Sequence, residues 1–164
     1  DEVVFACHSD QALDILKDPS TAERSVLGAI PYQVNEVVLH TDTSLLPRRR
    51  QAWAAWNYHS SDPLENTGPI ALTYNMNILQ TLNVPDTFCV TLNDSSSVND
   101  AEVLERFEYH HPLFTPDGIA AQKRHAEISG IAHTHYCGAY WGYGFHEDGL
   151  NSALVVARAF GVVV

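Results

Sequence analysis

The spacing of apolar residues changes character twice along this chain. Val3, Val4 and Phe5 open it as a continuous apolar run, the mark of a strand buried on both faces, usually in a parallel sheet. Ser9 follows as an N-cap for a short helix carrying Ala12, Leu13, Ile15 and Leu16, closed by Asp18-Pro19. A second short helix is expected from about Thr21 to Ala29. The opening reads as the continuation of a larger α/β unit begun upstream; the alternative is an ordinary first strand of a small domain. From Gln33 the period shortens to that of strands. QVNEVVLHTD alternates and is β-branched, AWAAWNYH is aromatic and strand-like, and ALTYNMN, TFCVTLN and RFEYHHPLF continue the series. SLLPRRRQ, SSDPLENTGP, NVPD and NDSSSVND are the loop signals between them. Links this short favour antiparallel neighbours. One or two helical turns are expected over residues 77–82.

The helical period returns after Pro116-Asp117, in a helix running to about Ile128 and ending at Gly130. A strand, AHTHYCGAY, and a final helix follow. Leu150, Ala153, Leu154, Ala157 and Phe160 recur there at three- and four-residue spacing and predict one apolar stripe. Glu147 and Asp148 suit the positive end of the helix dipole, and Gly161 suits its C-terminus. The predicted fold is α+β: an antiparallel sheet from roughly residues 32 to 112 flanked by helices, with strand and helix pieces at the two ends. The expected divisions are 1–30, 31–130 and 131–164. Without further strands, Val3–Phe5 and the last strand are expected to pair with each other or to expose edges that drive homo-oligomer formation.

Composition narrows the chemistry. Apolar residues make up 45% and charged residues 18% of the 164 residues, ordinary for a globular protein. A net charge of −11, with nine Lys and Arg, argues against a nucleic-acid surface. No apolar stretch is long enough to span a bilayer. Cys7, Cys89 and Cys137 are widely spaced and odd in number, which favours a reducing, cytoplasmic setting over a disulfide framework.

The segment YCGAYWGYGFHEDGLNSALVVARAFG concentrates the candidate chemistry. Gly138, Gly142 and Gly144 free the backbone for positive φ or for close approach by another group. Unpaired N–H groups at the helix start suit an electron-rich oxygen, and Tyr140, Trp141, Tyr143 and Phe145 offer walls for a flat ring. A glycine-rich crossover packed with aromatics is the structural alternative. His133, His135 and Cys137 alternate on the predicted strand and would share one face, half of a metal site that His110 or His111 would extend. Histidines packed beside a cofactor are the competing reading, and no metal is assigned. Cys137 as a nucleophile lacks a helix N-terminus and reads as a buried small hydrophobe. Arg48, Arg49 and Arg50 form a solvated loop or grip a carboxylate or phosphate. Trp53, Trp56, Tyr58 and Tyr74 read first as sheet residues, with Trp56 and Tyr74 as substrate-cavity candidates.

The final segment resembles the flavin-binding segment of the FAD-dependent amine oxidase family, where a strand ends in an aliphatic–Gly step and a loop leads into a helix patterned like EDGLNSALVVA. The match is to a flavin-containing oxidoreductase branch of that family. DEVVFACHSDQAL resembles its strand–turn–helix where the cofactor domain resumes, and HTDTSLLPRRRQAWAAWNYH its substrate domain. The resemblance implies FAD as cofactor and a small apolar or amine substrate. The activity implied is hydride transfer from a substrate C–H bond to FAD, or flavin-assisted isomerisation of an apolar molecule such as an unsaturated fatty acid. It implies cofactor contacts at Gly138, Ala139, Tyr140, Gly144, Phe145, His146, Glu147, Asp148 and Gly149. Backbone N–H near Glu147 would face the ring's pyrimidine oxygen, and His146 its substrate side. On this view 1–30 and 131–164 are parts of a Rossmann-like FAD domain, and 31–130 is the substrate domain. The family's Gly-x-Gly-x-x-Gly turn is not in this sequence. The chain is therefore expected to be a fragment that alone binds FAD weakly or not at all. A metal-dependent β-rich enzyme using His133 and His135, or a non-catalytic binding domain, are the alternatives.

Overall fold

The structure is a computed structural model that describes residues 1–59 and 70–162. The SSDPLENTGP loop, residues 60–69, lies outside the described residues. In chain order the elements begin with β1 (Val3–Phe5), α1 (Ser9–Ile15), α2 (Thr21–Leu27) and β2 (Tyr32–His40). Next come β3 (Trp56–His59), β4 (Ala71–Asn75), α3 (Met76–Leu79), β5 (Cys89–Leu92) and β6 (Val103–Pro112). α4 (Pro116–Gln122), β7 (Thr134–Tyr136) and α5 (His146–Ala159) complete the chain. The fold is α+β. No helix among the described residues is long and apolar enough to cross a membrane.

The chain forms two compact units, one from 1–33 with 111–164 and the other from 34–110. The ends of the chain thus meet in one body, interrupted in sequence by the other. Residues 111–130, expected with the middle segment, belong to the terminal unit, because α4 supplies Ala121 to the core around Ala12, Val26, Leu27, Ile128 and Tyr136.

In the terminal unit β1 and β7 pair in parallel, Val3 with Thr134 and Phe5 with Tyr136. Pairing of the two end strands is as expected, but burial on both faces is not. Val3 and Val4 are exposed, and only Phe5 turns toward the core, stacked on Tyr136 at 5.5 Å. The apolar run reads as a central strand, whereas this two-stranded sheet has one covered side. Ser9 is not the cap of α1. His8 holds that position, and Ser9 is buried with its N–H donating to Tyr32 Oη at 3.0 Å. Ser20 does cap α2, reciprocally with Glu23.

The second unit carries a five-stranded antiparallel sheet in the order β3-β4-β5-β2-β6. AWAAWNYH contributes only Trp56–His59 as strand; Arg50–Ala52 is a 3₁₀ turn with the Arg50 guanidinium 4.9 Å from the Trp53 ring centre. The covered face of the sheet is polar to an uncommon degree. Asn57, Thr73, Asn75, Thr91 and His40 are all buried on it, with Val38 and Cys89.

Candidate functional site

The strand expected over AHTHYCGAY shrinks to β7, because Ala132 and His133 both take positive φ, 50° and 60°. His133 therefore lies outside the strand, as does Cys137, and strand alternation does not relate them to His135. Instead both rings meet one carboxylate: His133 Nδ1 lies 2.8 Å from Glu2 Oε1, and His135 Nε2 lies 3.2 Å from Glu2 Oε2. Among the described residues no group of three or more His, Cys, Asp or Glu is arranged to hold a metal ion. The Glu2 contact raises the His133 pKa, and the same bond leads the lowering of Glu2's. Stability from the raised His133 is complete below the ordinary imidazole value and fades as pH rises through the folded one. Stability from Glu2 fades as pH falls through its lowered value. Carbon-13 titration of the imidazoles should place His133 above an ordinary histidine, and Glu2→Gln should return it. An unmoved His133 in Glu2→Gln would refute the pairing.

Past β7 the chain turns sharply. Gly138 N–H donates to Ser152 Oγ at 2.8 Å, and that hydroxyl donates to Gly149 O at 2.8 Å, tying the turn to α5. Gln122 of α4 donates to Tyr140 O and Gly142 O at 2.9 and 2.7 Å and fixes the loop from the other side. Asp148 reaches back so that one oxygen, Oδ2, accepts from Tyr143 N and Phe145 N, both at 3.0 Å. The first-turn N–H groups of His146 and Glu147 have no partner within the helix. Asp148→Ala removes both loop bonds and should cost about 1–2 kcal/mol. It should also shift the Tyr143 and Phe145 amide resonances while Asp148→Asn largely preserves them; an unchanged denaturation midpoint in Asp148→Ala would contradict the assignment.

The aromatic residues divide in two. Tyr140 is buried beneath the loop, where desolvation pushes its hydroxyl pKa well up, and Trp141 packs on the core. Tyr140 is thus turned inward, whereas Trp141 is half-buried. Tyr143 and Phe145 are exposed, at 79% and 61%. Of the expected cofactor contacts, Gly144, Phe145, His146 and Glu147 form one exposed edge, Asp148 and Gly149 turn half inward, and Tyr140 lies inside. The stripe expected on α5 is also rotated. Ser152 and Val156 are its buried residues, while Leu150 and Phe160 are exposed. Sequence periodicity weighed the large apolar side chains, but the loop bonds the helix through Ser152, which faces inward with Val156.

The glycines differ in what demands them. A Cβ on Gly138 would come within 2.5 Å of the Tyr140 ring, and one on Gly142 would collide with the Asp148 carboxylate. Gly144 sits at φ +88°, the left-handed region. Gly149 is different: it is helical, and a Cβ there would make only ordinary contacts, the nearest at 3.8 Å to Ala139. No contact among the described residues requires glycine at that position. A hollow of about 280 Å³ lies on the inner side of the same helix start, between Gln122, His125, Trp141, Asp148, Asn151 and Val155.

In the second unit Trp56 and Tyr74 are register partners on β3 and β4 and meet edge to face at 5.3 Å. Trp56 is 56% exposed, on an open sheet face. Sequence reasoning missed a hydrogen-bonded row that crosses the covered face. His59 Nε2 meets Thr73 Oγ1 at 2.9 Å, Thr73 meets Thr91 Oγ1 at 2.7 Å, and Thr91 meets His40 Nε2 at 2.8 Å. Its signal was present: Thr73 and Asn75, like Cys89 and Thr91, sit at alternate positions of short strands, where one face is inward. Cys89, packed there, is no thiolate, since burial and then Asp42 push its thiol up to about 11. All three cysteines are free.

No known protein-family model matches this sequence, and no curated protein matches it significantly.

Proposed function

We propose that this chain is the flavin-facing part of an FAD-dependent oxidoreductase of the amine-oxidase type, in which the start of α5 forms one wall of the cofactor site. The observation that carries this is Gly149. Glycine inside a helix costs about 1 kcal/mol relative to alanine, and neither backbone conformation nor crowding calls for it here. A bare first turn is what a flat group lying against the helix would need. The neighbouring residues fit such a group: Gly144 adds no side chain, and the edge from Gly144 to Glu147 is open.

When bound, the flavin supplies two-electron chemistry on a substrate C–H bond or redox-neutral assistance to isomerisation. The chain's own contribution is positional and electrostatic. His146 and Glu147 N–H groups are offered to a ring oxygen bearing negative charge. Asp148 occupies the donors behind them and so keeps the loop in register. Tyr143 and Phe145 supply apolar surface at the rim. The phosphates need a glycine turn from outside these residues. The middle unit fits the role of substrate domain, and Trp56 with Tyr74 offers an aromatic surface for an apolar or amine substrate.

The test is the visible spectrum of the protein purified with all the sequence its gene encodes around these residues. Two flavin bands, released on denaturation, are expected. A protein that stays colourless after incubation with FAD overturns the proposal.

A further inference from the structure

Among the described residues β6 is an outer strand of the five-stranded sheet, and every residue on it from Leu104 to His111 is exposed. Leu104, Phe107 and Tyr109 are among them, and Phe107 stacks on Tyr109 at 5.6 Å. An edge presents a row of outward N–H and C=O groups, and proteins guard it with proline, bulges or charge. Pro112 guards only the far end. The charges along the strand, Glu105, Arg106 and Glu108, are mixed in sign.

That mixture is self-complementary in one register. Two copies of an edge related by a two-fold axis perpendicular to the sheet pair antiparallel, and residues directly opposite share a face. The residue on the axis meets itself. An axis at Glu105, Arg106 or Glu108 sets like charges together. An axis at Phe107 sets the two Phe107 rings together and places Arg106 opposite Glu108 of the partner subunit, twice by symmetry. Opposite-charge and aromatic pairs are the favourable cross-strand contacts. Arg106 already holds Asp100 at 2.7 Å, and its guanidinium keeps further donors for a second carboxylate. We propose that the chain dimerises by antiparallel pairing of β6 with β6 of a second copy, centred on Phe107. The pairing rests on the sheet unit alone and is independent of the flavin assignment.

Sedimentation velocity over a wide concentration range should show a reversible dimer. Glu108→Arg sets Arg against Arg in two places and should raise the dissociation constant about tenfold or more. The double variant Arg106→Glu/Glu108→Arg restores opposite charges and should restore the dimer. Circular dichroism identifies any variant that fails to fold, and the single Glu108→Arg leaves the Arg106–Asp100 bond in place. Register is read separately: under mild oxidation Phe107→Cys should form a disulfide-linked dimer, whereas Leu104→Cys, opposite His110 of the partner subunit, should not. A wild-type chain monomeric at every concentration overturns the proposal. So does a dimer that Glu108→Arg leaves unchanged, or one that Phe107→Cys fails to link.

Discussion

Tyr136→Ala should cost the unit built from 1–33 and 111–164 about 3–5 kcal/mol, the range for deleting a large buried aromatic side chain. Tyr136 is fully buried among Ala12, Val26, Leu27, Ala121 and Ile128, and its ring stacks on Phe5 across the parallel strand pair. Its backbone is held too, by Ser129 Oγ at the N–H and by His125 Nε2 at the carbonyl. The hydroxyl donates to Glu23 Oε1 at 2.6 Å, the same carboxylate that closes the cap of α2. Packing and the cap are separable. Tyr136→Phe keeps the ring and should cost only about 1–2 kcal/mol. Burial alone would raise the Glu23 carboxyl, but donors from Tyr136 and Ser20 outweigh it and hold it below the ordinary value. The stability it contributes is present above the unfolded carboxyl pKa and lost as pH falls through the folded one. Tyr136→Phe should weaken that acid dependence. Urea denaturation of both variants checks this, and equal losses would show that packing is not what Tyr136 supplies.

Thr91→Val should have the next largest effect, about 2 kcal/mol, although it keeps side-chain volume. It removes the link between Thr73 and His40 in the row across the sheet. Among the described residues His40 Nδ1 has no well-formed hydrogen bond, so losing the Thr91 contact leaves the buried ring only its interaction with Asp42. An orphaned buried polar group costs about 1–3 kcal/mol. Thr91→Ser keeps the hydroxyl and should be much milder. Burial also lowers the His40 pKa from 6.5, against the raising influence of Asp42. Below that value the unfolded chain binds a proton that folded His40 refuses. Stability is therefore full above it and declines as pH falls toward the lowered one. The His40 ring carbon signal should stay that of a neutral imidazole below pH 6.5. A ring charging at or above its ordinary value would contradict the buried row.

Much of the architecture was legible because local signals and tertiary demands agree. The alternation in QVNEVVLHTD produced β2, and the Pro116-Asp117 start produced α4, although that helix ends at Gln122 and not near Ile128; the two end strands pair, one of the two outcomes expected. What stayed hidden depends on contacts distant in sequence. Val3 and Val4 look like core residues because periodicity reports apolarity and not the number of layers available. Ala132 and His133 break the predicted strand through positive φ, which neither residue type signals. Asp148 reads as a dipole partner, whereas its geometry makes it the clasp of the glycine loop. The face of α5 stayed hidden because Ser152, small and polar, is what the Gly138 turn bonds. In each case the side chain's partner, not its type, decided the outcome.

Gly149→Ala separates a flavin wall at the start of α5 from a loop that serves the fold alone. Alanine suits the helix and touches only Ala139 at ordinary distance, so the variant should be more stable by about 0.5–1 kcal/mol. Nitrogen-15 spectra of the protein with all the sequence its gene encodes around these residues, recorded without and with FAD, should show amide shifts across Gly144–Gly149, strongest at His146 and Glu147. The stabilised Gly149→Ala chain should lose them. Shifts that survive the substitution, or that are absent from this segment in the wild type, would contradict the flavin wall.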